Sequence, residues 1–138
     1  MFNRKEDSMS ENIMSNNPYW DHIGLKEVEL NNGHSVLELP VIHEITQSRK
    51  TVHGGVIASL VDAAVGAALR SQVEKGMGGV TVEMKVNYLR PAVGDKLIAK
   101  GRVVKQGKSL VVGEAVIEND QGEEVAIGLA TYMMKPRE

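Results

Sequence analysis

From Gly54 to Leu69 the chain reads GGVIASLVDAAVGAAL, and only Ser59 and Asp62 interrupt an otherwise apolar run. Alanine and leucine favour helix, and a helix that is apolar on every side belongs inside a core. The run is too short, too rich in Gly and Ala, and too interrupted by Asp62 to be a membrane span. Arg70, Ser71, Gln72, Glu74 and Lys75 return it to solvent, with Gly76 as the predicted stop. After that the period changes. Val80, Val82, Met84, Val86 and Tyr88 alternate with Thr81, Glu83, Lys85 and Asn87, which predicts a half-buried strand. Pro91 to Gly94 breaks it. Three β-branched runs follow, Lys96 to Lys105, Leu110 to Glu118 and Val125 to Met134, separated by Gln106-Gly107 and by Asn119-Asp120-Gln121-Gly122. Ahead of the helix, Leu25 to Leu30 and Ser35 to Leu39 alternate around Asn31-Asn32-Gly33, a good hairpin turn. His43 to Val52 is polar and irregular and reads as a loop. The predicted order is β-β-α-β-β-β-β: an α+β domain with one long helix against one curved antiparallel sheet of about six strands. Short turns are expected to set neighbouring strands antiparallel.

The first residues, MFNRKEDSMSENIMSNN, mix acids with bases and hold no apolar run. This is neither a signal peptide nor a transit peptide, so the expected location is cytoplasmic. Residues 1–17 are expected to form a disordered arm, with a single domain over 18–138 that begins near Pro18-Tyr19-Trp20. A chain of 138 residues that is 42% hydrophobic and 25% charged can bury a real core. Its net charge of −2 argues against a general nucleic-acid binder. The absence of cysteine excludes disulfides, thiolate metal sites and cysteine nucleophiles. The four histidines show no HxxxH or His-carboxylate spacing, so no metal site is expected.

Two features carry chemistry. A carboxylate in the middle of an apolar helix is costly unless it is paired or functional, and Asp62 occupies that place. A structural role for it, reaching a backbone N–H or the edge of the core, is equally open at this point. The second feature is His53-Gly54-Gly55 at the helix start. The first turn of a helix offers free N–H groups and partial positive charge, and glycines allow close approach to the backbone. Such donors suit an oxyanion, although His53 serving only as a cap or packing residue fits the same pattern. Ser59 has no nucleophile-elbow context and reads as a small helix residue.

Together, the run HGGVIASLVDAA, with Asp62 nine residues after His53, resembles the PaaI-like thioesterases of the hot-dog fold. PYWDHIGLKEVEL before it and GMGGVTVEMKVNYLRP and GRVVKQGKSL after it agree, so the resemblance covers about residues 18 to 134. It implies an acyl-CoA thioesterase that acts on an aromatic or short- to medium-chain acyl group. It implies no cofactor, because coenzyme A is part of the substrate. By the same resemblance Gly54 gives its backbone N–H to the thioester oxygen. Asp62 is the nucleophile or the general base, and Gln47 lies near the reacting centre. His53 orients the Gln47 amide, and Thr81 helps hold the attacking water. The family's sites lie at a dimer interface, and a dimer of dimers is the expected assembly.

One inference rests on geometry alone. Gly54 and Asp62 are eight residues apart, which is about 12 Å along a helix and about 80° from a matching face. One thioester therefore cannot touch both on the same chain, and a site that uses both is shared between two subunits. Between Lys85 and Lys108, seven basic residues face one acid, Asp95. Arg90, Lys105 and Lys108 are the candidates for coenzyme A phosphates, while Lys96, Lys100 and Arg102 share a strand parity that suits a solvated face. Two other readings stay in play: a hot-dog domain that only binds acyl-CoA, and a hydratase or dehydratase on the same fold.

Overall fold

A computed structural model describes residues 17–137. A short helix α1 (Pro18–Ile23) precedes the hairpin β1 (Lys26–Asn31) and β2 (His34–Pro40), and a 3-10 turn follows at His43–Ile45. The long helix α2 (Gly54–Arg70) leads into β3 (Met77–Tyr88), β4 (Lys96–Gln106), β5 (Leu110–Asn119) and β6 (Glu124–Pro136). Asn17, the last residue of the expected arm, instead caps α1 through a side-chain bond to the Trp20 N–H, 3.2 Å away. The rest of that arm lies outside the described residues. The hairpin turn puts Asn32 at φ 45° and Gly33 at φ 83°, the left-handed pair that a tight two-residue turn demands.

The six strands among the described residues form one antiparallel sheet in the order β1-β2-β4-β5-β6-β3. Chain neighbours pair in β1/β2, β4/β5 and β5/β6, as short turns require. They do not in β3/β4, because β3 lies at the far edge beside β6. The Leu89–Asp95 connection is no tight turn. Seven residues reach up to ~25 Å, enough to cross the three strand spacings of ~14 Å between β3 and β4.

Helix α2 packs against the sheet. Leu60, Val61, Ala64, Val65 and Ala67 are fully buried against Leu37, Leu39, Leu97, Val111, Ile117 and Ala126. Truncating Leu60 to Ala would cost about 2–5 kcal/mol for lost transfer energy and the cavity left behind. The helix comes so close to the sheet that a Cβ at Gly101 would meet the Ala64 carbonyl oxygen at 2.2 Å. The same carbonyl accepts from the buried Ser35 hydroxyl at 2.6 Å. Ser35 and Gly101 are cross-strand partners, so this pair sets the depth of the helix.

The helix is not apolar on every side. Ser59, Asp62, Gly66 and Arg70 are only partly buried and recur at helical spacing, so they form one polar and small-residue stripe along the helix. Asp62 is therefore half-buried rather than enclosed, as its place in an apolar run had suggested. The phenol of Tyr19 on α1 meets the Ser59 hydroxyl at 2.9 Å. Farther along, the Arg70 guanidinium lies 5.7 Å from the Trp20 ring centre and donates to Glu27 at 2.8 Å. Among the described residues no helix is long and apolar enough to cross a membrane.

Candidate active site

Strand β3 shapes the Asp62 half of the site through a bulge. Thr81 pairs with Tyr132 and Glu83 with Thr131, leaving Val82 as the extra residue. The bulge overturns the simple alternation expected of this strand. Thr81 faces the helix, whereas Val80 and Val82 are 49% and 50% exposed. The Thr81 hydroxyl donates to Asp62 Oδ1 at 2.7 Å. Its cross-strand partner Tyr132 donates to the same oxygen at 2.6 Å, and its phenol also lies 2.7 Å from the Asp62 carbonyl. Burial, the Asp62 hydrogen bond and the carboxylate's charge push the Tyr132 phenol well above its ordinary pKa, despite opposing effects of Thr81 and Arg70. Tyr132 is therefore a protonated donor at any ordinary pH. Asp62 Oδ2 has no hydrogen-bond partner among the described residues. Asp62 lines a cleft of about 520 Å³ together with Trp20, Gly66, Leu69, Gly79 and Tyr132.

Gly66, one helical turn after Asp62, leaves the space that the Tyr132 phenol occupies. A Cβ there would stand 2.8 Å from the Tyr132 oxygen. Tyr132 escaped sequence analysis because it reads as one more apolar position in a β-branched strand. Its only signal is a hydroxyl at an inward-facing position, which needs a partner when buried.

Gly54 sits elsewhere. His53 caps α2, its Nδ1 accepting from the Gly55 N–H at 2.8 Å. The Gly54 N–H has no partner among the described residues, as first-turn donors do not unless a ligand supplies one. The Tyr88 phenol donates to the Gly54 carbonyl at 2.7 Å. Around them lies a second cleft of about 760 Å³, lined by Gln47, Arg49, Thr51, Tyr88, Arg90 and Pro91 among others. Gln47 is in this cleft, with its amide donating to the Thr51 hydroxyl at 3.2 Å. No hydrogen bond joins Gln47 to His53, whose Nδ1 is committed to the cap. Tyr88 and Arg49 were not singled out in the sequence; one ends a strand and the other lies in an irregular loop.

The residues highlighted by the sequence thus fall into two groups. Asp62 and Thr81 meet, Gln47, His53 and Gly54 cluster, and the two clefts share no lining residue. Both clefts touch β3, one at Gly78 and Gly79, the other at Tyr88. Of the basic candidates, Arg90 lines the Gly54 cleft and pairs with Glu123 at 3.0 Å. Lys105 and Lys108 are exposed near the β4–β5 turn and line neither cleft. Lys96, Lys100 and Arg102 pair across strands with Glu38, Glu118 and Glu114, so most of the apparent basic excess is neutralised on the sheet face. Among the described residues no group of three or more His, Asp or Glu side chains is placed to hold a metal ion.

The thioesterase superfamily model matches residues 49–126, which include Gly54, Asp62, Thr81 and Tyr88. The chain is 36% identical over 101 residues to acyl-coenzyme A thioesterase 13 of Homo sapiens, covering 72% of this chain and 71% of that one. It is 31% identical over 106 residues to acyl-coenzyme A thioesterase PaaI of Escherichia coli, covering 76% and 74%. A Bacillus halodurans protein whose structure was solved with CoA superposes with a TM-score of 0.70 at 34% identity, over 72% of this chain and 70% of that one.

Proposed function

The chain belongs to the thioesterase superfamily, with the hot-dog fold, and is a thioester hydrolase; from that premise we propose that it cleaves acyl-CoA to a carboxylic acid and free coenzyme A. Asp62 is the nucleophile or general base, and the Gly54 N–H is the oxyanion donor. The observation that carries this reading is the Asp62 carboxylate itself: it lines a cleft, with one oxygen held by two hydroxyls and the other without a hydrogen-bond partner among the described residues. The names of the relatives and the CoA-bound neighbour support coenzyme A as the thiol half.

In the general-base route the water oxygen bonds to the thioester carbon while Asp62 takes the proton. Negative charge moves onto the carbonyl oxygen, where an N–H donor is worth most. The C–S bond then breaks, and the departing thiolate takes up the proton. In the nucleophilic route Asp62 bonds to the carbon first, expels the thiolate, and water cleaves the resulting anhydride. Gln47 and Thr81 complete the surroundings of the reacting carbon, and His53 fixes the turn that presents Gly54.

The working unit is a homodimer with two shared sites. On one chain the clefts are apart, but β3 is an edge strand with unpaired backbone groups and exposed Val80, Val82 and Met84. Such an edge is a template for a second strand. If β3 pairs antiparallel with its copy about a two-fold axis near mid-strand, the Thr81 end of one chain faces the Tyr88 end of the other. Each Asp62 then meets the partner subunit's oxyanion turn, and a dimer of dimers is the expected larger assembly. Arg90, at the Gly54 cleft, with Lys105 and Lys108, attracts the coenzyme A phosphates. The acyl group is aromatic or of short to medium chain. A thiol-release assay over a panel of aromatic and aliphatic acyl-CoAs tests this reading. Turnover of at least one supports it, and folded dimer that releases no thiol from any of them overturns it.

A further inference from the structure

We propose that Tyr132 is a positioning residue for the Asp62 carboxylate: with Thr81 it immobilises Oδ1 and so leaves Oδ2 as the one oxygen that works on the substrate. This rests on the reading of Asp62 as the reactive group. A free carboxylate presents two equivalent oxygens and rotates between them. Here both side-chain donors converge on one, Thr81 at 2.7 Å and Tyr132 at 2.6 Å. The two donors come from adjacent strands, since Thr81 and Tyr132 are directly opposite in the β3/β6 register. The rotation that would bring Oδ2 under the hydroxyls is therefore resisted from two directions.

The space around Tyr132 is tailored to this contact. Its ring stands beside two glycines, one on the helix and one on β3. A Cβ at Gly66 would come 2.8 Å from the phenol oxygen, and a Cβ at Gly79 would come 2.9 Å from the ring. Ala at either position would push the ring, and with it the hydroxyl, off the carboxylate. The phenol proton lies between Oδ1 and the Asp62 carbonyl at 2.7 Å, and the negative charge of the carboxylate draws it toward Oδ1. Tyr132 is 7% exposed, so water is poorly placed to substitute for it.

The test is Tyr132→Phe, which keeps the ring and removes only the donor. The expected result is a fall in kcat of about tenfold or more, the effect of losing one hydrogen bond to a charged group, with KM within about twofold. A merely structural role would lower the melting temperature and leave kcat of the folded enzyme unchanged. Gly66→Ala supplies a second route that leaves Tyr132 in place. It should slow kcat in the wild-type background and have no further effect in the Tyr132→Phe background, where no hydroxyl remains to be displaced. Unchanged kcat in folded Tyr132→Phe, or an equal Gly66→Ala loss in both backgrounds, overturns the proposal. Asp62→Asn, run beside them, separates the two claims. A dead Asp62→Asn with a fully active Tyr132→Phe removes only the positioning role, and an active Asp62→Asn removes the reading on which it rests.

Discussion

Two inactive variants should restore activity to each other when mixed. Asp62→Asn removes the carboxylate but keeps its shape, and the Asn carbonyl still accepts from Thr81 and Tyr132. Gly54→Pro removes the backbone donor. The structure allows that change, because Gly54 opens α2 and its N–H has no partner among the described residues. Proline is tolerated in the first helical turn, and His53 before it already has an extended ψ of 136°. Each pure dimer should retain about a hundredth of the activity or less. Gly54 and Asp62 are about 12 Å apart along one helix, so a site that uses both draws one from each chain. In a mixed dimer one site collects both lesions and the other collects neither. Random pairing makes about half the dimers mixed, each with one live site of two, so activity should return to roughly a quarter of wild type. The assay is thiol release after co-refolding, with heterodimers counted by mass spectrometry. Mixtures that stay inactive while heterodimers are plainly present would refute the shared site.

Other outcomes follow from particular contacts. Lys108→Glu should raise KM with kcat little changed, because a phosphate contact acts equally in ground and transition states. The effect should shrink for a truncated thioester without the nucleotide, and an equal loss on both substrates would count against a phosphate role. The raised pKa of Tyr132 makes a stability prediction at alkaline pH. Folding favours the neutral phenol, so this contribution is complete below the unfolded pKa of about 10 and is lost as pH rises above it. Unfolding free energies from urea titrations between pH 8 and 11 should fall less steeply in Tyr132→Phe than in wild type, by up to ~1.4 kcal/mol per pH unit. Parallel pH curves for the two proteins would contradict a buried, carboxylate-bound phenol.

The long helix was legible because sixteen residues with two polar interruptions have few other ways to bury themselves. The hairpin was legible because Asn32-Gly33 chemically demands a tight left-handed turn. The edge position of β3 was not. Its alternation looks like a half-buried strand until the bulge at Val82 reverses parity and brings Thr81 inward. Bulges leave little trace in one sequence, because the extra residue looks like any other in the strand. Asp62 stood out for its polarity in an apolar run, yet its neighbours did not. Tyr132 and Thr81 are distant in sequence from it and from each other, and only the β3/β6 register joins them. The basic cluster misled for a related reason: Glu38, Glu114 and Glu118 lie outside the window but across the strands. Local pattern reports what a residue prefers, whereas register decides what it meets.

The central claim is that the Asp62 carboxylate performs the chemistry, and the direct measurement is kcat for Asp62→Asn by thiol release, on protein shown to be folded and dimeric. The change is nearly isosteric and keeps the hydrogen bonds to Oδ1, so melting temperature and assembly should hold. Loss of a nucleophile or base costs about a hundredfold or more, and the account predicts a fall of at least that size. A folded Asp62→Asn dimer that turns over acyl-CoA at close to the wild-type rate would contradict it.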